Sequence, residues 1–126
     1  VRAADPGAAM SQDCIFCKIV RGEIPSRKVY EDDDILAFHD IHPAAPVHFL
    51  VIPKVHVVNL YDADMAHQAV LGKMMGMTGR LAREQGLNDG FRTIINNGRV
   101  GRQEVYHLHM HVLGGPDPLR SGINTP

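Results

Sequence analysis

The sequence predicts one α+β domain of roughly five short antiparallel strands, one long helix and a short N-terminal helix. Three observations lead there. Apolar runs of strand length lie between proline and glycine signals, one stretch carries a helical period, and "YHLHMHVLGG" alternates polar and apolar residues strictly. A chain of 126 residues fits a single domain with a proper core.

Each element follows in order. "VRAADPGAAMSQ", residues 1–12, is small, polar and without period. It reads as a disordered extension or a cloning remnant outside the fold, with Met10 available as a natural start. "IFCKIVRGEIP" holds a helical turn or two, which Gly22 and Pro25 end, and Arg27 to Tyr30 form a brief strand. "DILAFHDI" and "VHFLVIP" read as adjacent antiparallel strands joined through the Pro43 and Pro46 loop, and Pro53 closes the second. From Ala63 to Gln85 the period becomes helical, with Ala66, Val70, Met74, Met77 and Leu81 at steps of three and four. Asp62 or Asp64 supplies the N-cap and Gly86 the stop.

Gly72, Gly76 and Gly79 each cost about 1 kcal/mol against alanine inside that helix. Gly72 and Gly76 stack at i and i+4, which leads us to expect close approach of another element such as a partner helix. The methionines read as core filling. "FRTIIN" is a further strand, "NGRVGRQE" a glycine-containing loop, and the histidine strand comes last.

Composition bounds the function. The chain is 44% hydrophobic and 21% charged with net charge −1, so it has no basic excess for a nucleic-acid polymer. No apolar run approaches the ~20 residues of a membrane helix, and the chain starts with no charged region followed by an apolar core. We expect a cytoplasmic protein. The two cysteines, Cys14 and Cys17, fit a reducing compartment better than a disulfide framework.

The chemistry concentrates at residues 106–115. On a strand, His107, His109 and His111 share one face while Leu108, Met110 and Val112 share the other. Neighbouring imidazoles then sit about 6 to 7 Å apart, within reach of one phosphate-sized group. A neutral imidazole attacks phosphorus through one nitrogen when its other N–H is held, and a second imidazole donates to a phosphate oxygen or the leaving group. Two histidines at i and i+2 also make a metal pair. Spacing leaves both readings open.

"HLHMHVLGG" resembles the His-x-His-x-His signature of the histidine triad family, and its "LGG" ending resembles the Hint branch of nucleotide-binding phosphoramidases more than the Fhit branch. "IFCKIVRGEIPS", "EDDDILAFHDIHPAAPVHFLVIPKVH" and "GFRTIINNG" resemble Hint segments in order and spacing. The likeness runs from Cys14 to Gly115, which sets the domain at residues 13–115 and a tail at 116–126. It implies a five-stranded antiparallel sheet that pairs in a homodimer into a ten-stranded one. It also implies hydrolysis of the P–N bond of purine nucleoside phosphoramidates, derivatives of AMP or GMP, through a nucleotidyl-histidine.

By resemblance, His109 is the nucleophile, His111 contacts the phosphate and leaving group, and His107 and His48 support them. Asp40 falls where the family binds ribose hydroxyls. Phe38, His39 and Ile41 surround the base, and Ile15, Phe16 and Leu50 wall the pocket. Asn96 and Gln103 match residues that hold the phosphate, with Glu104 beside them in the substrate site. Taken alone, Asp40 reads as a turn aspartate, Asn96 as a strand-end cap and Gln103 as an exposed loop residue.

No cofactor is implied for catalysis. Cys14 and Cys17 form a CxxC pair, and His56 and His107 match positions that complete a structural zinc site in some relatives. Otherwise the thiols read as buried and free. Two departures stand out: Arg102 replaces the glycine common before Gln103, and the tail has no tryptophan. The alternatives are a Fhit-like dinucleoside polyphosphate hydrolase, a nucleotide-binding interaction protein with weak turnover, and, more distantly, a metal-dependent β-protein.

Overall fold

A computed structural model describes residues 13–121. The segment 1–12 and the end of the tail, 122–126, lie outside the described residues. A short helix α1 (Ile15–Val20) leads into strands β1 (Lys28–Glu31), β2 (Ile35–His39) and β3 (Val47–Pro53). A 3-10 turn (Met65–His67) opens the long helix α2 (Gln68–Glu84), and β4 (Arg92–Ile95) and β5 (Met110–Gly114) complete one five-stranded sheet in the order β1-β2-β3-β5-β4. Every neighbouring pair is antiparallel.

The helix ends follow local chemistry. Cys14 caps α1, its sulfur accepting the Cys17 N–H at 3.3 Å. Asp64, one of the two expected caps, accepts from Ala66 N–H, and His67 reaches back to the Asp64 N–H in a capping box. At the other end Gly86 takes φ +88°, and Leu87 N–H and Gly86 N–H bond to the Ala82 and Arg83 carbonyls. These are the two bonds of a Schellman motif, and Leu87 is buried behind them.

The sheet separates two cores. Ile35, Ala37, Phe49, Val51, Leu108, Met110 and Val112 pack with Met74, Leu81 and Ala82 of α2. Their neighbours Leu36, Phe38, Leu50 and Ile52 pack on the other face against Cys14, Phe16, Cys17 and Ile19 of the α1 segment. Buried on both faces, β2 and β3 therefore read as continuous apolar runs.

One expectation is corrected here. The histidine segment alternates as expected, but only Met110–Gly114 is laddered strand; His107, at a bend, and His109 precede it. With Val51 opposite Met110, Pro53 falls opposite Leu108 and has no N–H to donate. Leu108 N–H bonds instead to the Val57 carbonyl at 2.7 Å. Gly72 and Gly76 are not approached within the chain, since among the described residues nothing lies within 4 Å of a Cβ built at either.

Candidate functional site

The α1 face of β5 and the chain leading into it carry the histidines. His107 and His109 are buried and His111 half-buried, and Leu50 of β3 pairs directly with His111. The ring of Phe16 meets His109 edge-on at 5.1 Å and His107 at 5.9 Å between centroids. His109 and His111 stand 5.0 Å apart, closer than the strand spacing alone predicts.

Hydrogen bonds assign a role to each ring nitrogen. His109 donates Nδ1–H to the His107 carbonyl at 2.7 Å, which leaves Nε2 with the lone pair. Ala44 N–H donates to His48 Nδ1 at 2.9 Å, so the proton of neutral His48 resides on Nε2. That Nε2–H faces His111 Nδ1 at 2.9 Å and Asp40 Oδ2 at 3.4 Å. His111 accordingly accepts at Nδ1 and carries its own hydrogen on Nε2. Gly115 packs against Pro46, a Cβ there meeting the ring at 2.8 Å, and so the second glycine of "LGG" seats the loop that supplies the Ala44 amide.

Burial keeps these rings neutral. It draws His111 down to about 4, aided by His109 and His48 nearby. It lowers His109 as well, against the opposing hydrogen bond to the His107 carbonyl, and His48, against the Asp40 charge.

A cavity of about 260 Å³ opens beside them. Ile15, Phe16, Phe38, Leu50 and the exposed Ile41 give it apolar walls, and His39, Asp40, Glu104, His109 and His111 add polar groups. Asp40 Oδ1 accepts His42 N–H at 2.8 Å, so the turn role read from sequence and a place in the cavity coexist. Ile19, Ile24, Pro25, Ser26, His42 and Val105 also line it and were not singled out from sequence. Their common feature is the connection from α1 to β1 folding over β2, which no local pattern signals.

Four expected site residues lie elsewhere. His48 is behind His111, and His107 is fully buried beneath His109. Asn96 is half-buried past the end of β4 and outside the cavity wall. Gln103 is neither exposed nor in the wall. It donates Nε2–H bonds to the Val58 and Val105 carbonyls, and its Oε1 accepts from Asn59 and Gly98 N–H. All four amide valences are used inside the protein, so Gln103 clamps the loop and leaves no free amide for a phosphate. Arg102 just before it takes φ +62°, a left-handed conformation that glycine adopts without steric cost.

The second cluster joins Cys14, Cys17, His56 and His107, all buried, with donor atoms within 4.8 Å of one another. Cys14 Sγ and Cys17 Sγ lie 3.4 and 3.6 Å from His107 Nδ1, Cys17 Sγ is 3.3 Å from His56 Nδ1, and the two Nδ1 atoms are 3.2 Å apart. Tetrahedral zinc with Zn–S near 2.3 Å and Zn–N near 2.0 Å has edges of about 3.3–3.6 Å between such donors. His107 donates Nε2–H to the Pro53 carbonyl at 2.8 Å, which turns the Nδ1 lone pair inward as a ligand needs. The residues fit zinc. Asp40, His48 and His111 also lie close enough to hold a metal, but the His48 lone pair already receives Ala44 N–H. That leaves only two free donors.

Burial pushes the Cys17 thiol up to about 12, with Cys14 adding to the shift, and draws His107 down to about 4. Among the described residues no helix is long and apolar enough to cross a membrane.

Known proteins are similar to this chain in sequence and fold. A family model described as the HIT domain matches residues 21–117. Protein HitA of Neisseria gonorrhoeae is 54% identical over 104 residues, 82% of this chain and 97% of that protein. A purine nucleoside phosphoramidase of Escherichia coli strain K12 is 47% identical over 107 residues, 84% of this chain and 90% of that one. The crystal structure of a HIT family hydrolase from Legionella pneumophila Philadelphia 1 superposes with a TM-score of 0.79 at 45% identity, covering 82% of this chain and 94% of that chain. With a family model matched over most of its length and relatives about half identical, the chain belongs to the HIT family.

Proposed function

We propose that the chain hydrolyses the P–N bond of purine nucleoside phosphoramidates through a nucleotidyl adduct on His109. The observation that carries this reading is the 2.7 Å bond from His109 Nδ1–H to the His107 carbonyl, which frees Nε2 beside a cavity walled by apolar side chains and Asp40. The phosphoramidase from Escherichia coli at 47% identity supports the reaction class.

In this mechanism the purine lies among Phe16, Phe38, Ile41 and Leu50, and Asp40 accepts from the ribose hydroxyls. His109 Nε2 attacks phosphorus, the P–N bond breaks, and the amine leaves with a proton passed from solvent by His111. His111 Nε2–H also donates to the phosphoryl oxygens. Water then attacks phosphorus, releasing the nucleoside monophosphate and neutral His109. A rapidly quenched reaction with an AMP phosphoramidate should give an adenylyl group mapped to His109; an adduct elsewhere, or none with rapid turnover, overturns the mechanism.

Cys14, Cys17, His56 and His107 would hold a structural zinc, a role that ties α1, and with it Ile15 and Phe16 of the pocket wall, to the histidine segment. A reducing cytoplasm suits the two free thiols. The chain works as a homodimer in this reading. Edge strand β4 and the unapproached Gly72 and Gly76 face of α2, with Met75 exposed on it, are the surfaces offered to a second copy. Light scattering should return two chains per particle, and replacing both glycines with leucine should give monomer or insoluble protein; a monomer in the unaltered chain refutes the pairing.

A further inference from the structure

The charge inventory of the cavity does not match a site built only to hold a phosphate. Its lining includes two carboxylates, Asp40 and Glu104, and neither lysine nor arginine. Asp40 is accounted for: one oxygen accepts His42 N–H and the other faces His48. Glu104 is exposed, and among the described residues no lysine or arginine makes an ion pair with it. It lies on the loop entering the histidine segment and lines the cavity together with His109 and His111. A negative charge beside the attacked phosphorus repels an anionic substrate unless the departing group brings a positive charge to meet it.

The position of Glu104 is fixed although its side chain is exposed. The preceding residue, Gln103, is buried with all four amide valences engaged, and the Gln103 and Arg102 N–H groups bond back to Gly98 and Arg99. The chain therefore holds the carboxylate in the lining of the cavity that His109 and His111 share. Resting on the phosphoramidase reading, we infer that Glu104 selects leaving amines that carry a second, cationic group, an aminoalkyl chain of the kind a lysine or diamine presents. The carboxylate acts across the cavity mouth by charge, so its effect has the size of an exposed ion pair and is screened by salt.

The test uses three AMP phosphoramidates of matched length, with n-hexylamine, 1,6-diaminohexane or 6-aminohexanoate as the leaving amine, and the full chain. The unaltered protein should show kcat/KM in the order diamine, alkylamine, amino acid, with about fivefold between steps at low salt and less at high salt. Glu104→Gln should bring the three kcat/KM values to within about twofold of one another. Glu104→Lys should reverse the order, which a merely structural residue would not do. Equal rates on all three substrates, or an order unchanged in Glu104→Gln, overturn the inference and leave the phosphoramidase reading standing. Failure to turn over any of them overturns both.

Discussion

On the face beneath α2, Leu108, Met110 and Val112 meet Phe49, Val51, Met74 and Leu81 with no solvent between them. One residue along the same chain, His107, His109 and His111 turn to the opposite face and meet Phe16, the two cysteines, His48 and the cavity. The first face is held by area removed from water, the second by polar groups with specified partners. Among the described residues no side-chain nitrogen or oxygen that is fully sealed from water lacks a hydrogen bond, and His109 Nε2 is the one nitrogen of that ring left unpaired. A strand buried on both sides can thus concentrate stability on one face and reactivity on the other, and substitutions on the two faces should fail in different ways.

The sharpest contrast is between His109→Ala and Leu81→Ala. Losing the nucleophile should lower turnover of an AMP phosphoramidate by about three orders of magnitude or more while AMP binding and melting temperature stay nearly unchanged. Residual activity within tenfold of normal removes His109 from the chemistry. Leu81 is fully buried under the sheet. Its truncation should cost about 2–5 kcal/mol in denaturant unfolding, with kcat/KM of the folded fraction preserved. Should Leu81→Ala instead reduce kcat selectively, the two faces are coupled and the separation argued here is wrong.

Between these extremes lies the metal cluster, which belongs to the reactive face but acts on stability. Protein purified without added metal should contain about one zinc per chain, and Cys14→Ser should lower both metal content and melting temperature. Substoichiometric zinc with two freely titrating thiols would return His107 to a hydrogen-bonding support beneath His109.

The same face sets the acid response. His111 is held near 4 in the folded chain by burial, against about 6.5 when unfolded. The unfolded chain therefore binds more protons between those values, and stability is full above pH 6.5 and falls as pH drops toward 4. The melting temperature should decline by several degrees from pH 7 to pH 5 and stay level from pH 7 to 8.5. A melting temperature unchanged between pH 7 and pH 5 would mean that His111 is not held neutral in the folded state.

Much of this division is legible in the sequence, because period is a local property. The alternation at 107–112, the helical steps from Ala66 to Leu81 and the Gly86 stop depend on neighbours within a turn or two. What escapes local reading is set by distant partners. The ladder stops before His109 because Pro53 arrives opposite Leu108, and Gln103 is a clamp because Val58 and Asn59 are brought to it from 45 and 44 positions away. The cavity wall from Ile24 to Ser26 exists only once the α1 to β1 connection folds over β2.

Arg102 gives the smallest expected effect and the finest test of the comparison, since it lies on the loop that feeds the reactive face. Its φ of +62° is a left-handed conformation that costs an L-residue about 1–2 kcal/mol, and its N–H bonds to the Arg99 carbonyl, which holds that turn closed. Glycine relieves the strain but is freer in the unfolded chain by about 0.5–1 kcal/mol. Arg102→Gly should therefore stabilise by roughly 0.5–1 kcal/mol, seen as a rise of about 2–4 °C in melting temperature. Because the Gln103 amide and not residue 102 anchors the loop, kcat should change less than twofold. A fall in stability would show that the arginine makes a compensating contact, and a large fall in kcat at unchanged stability would place its guanidinium in the reaction.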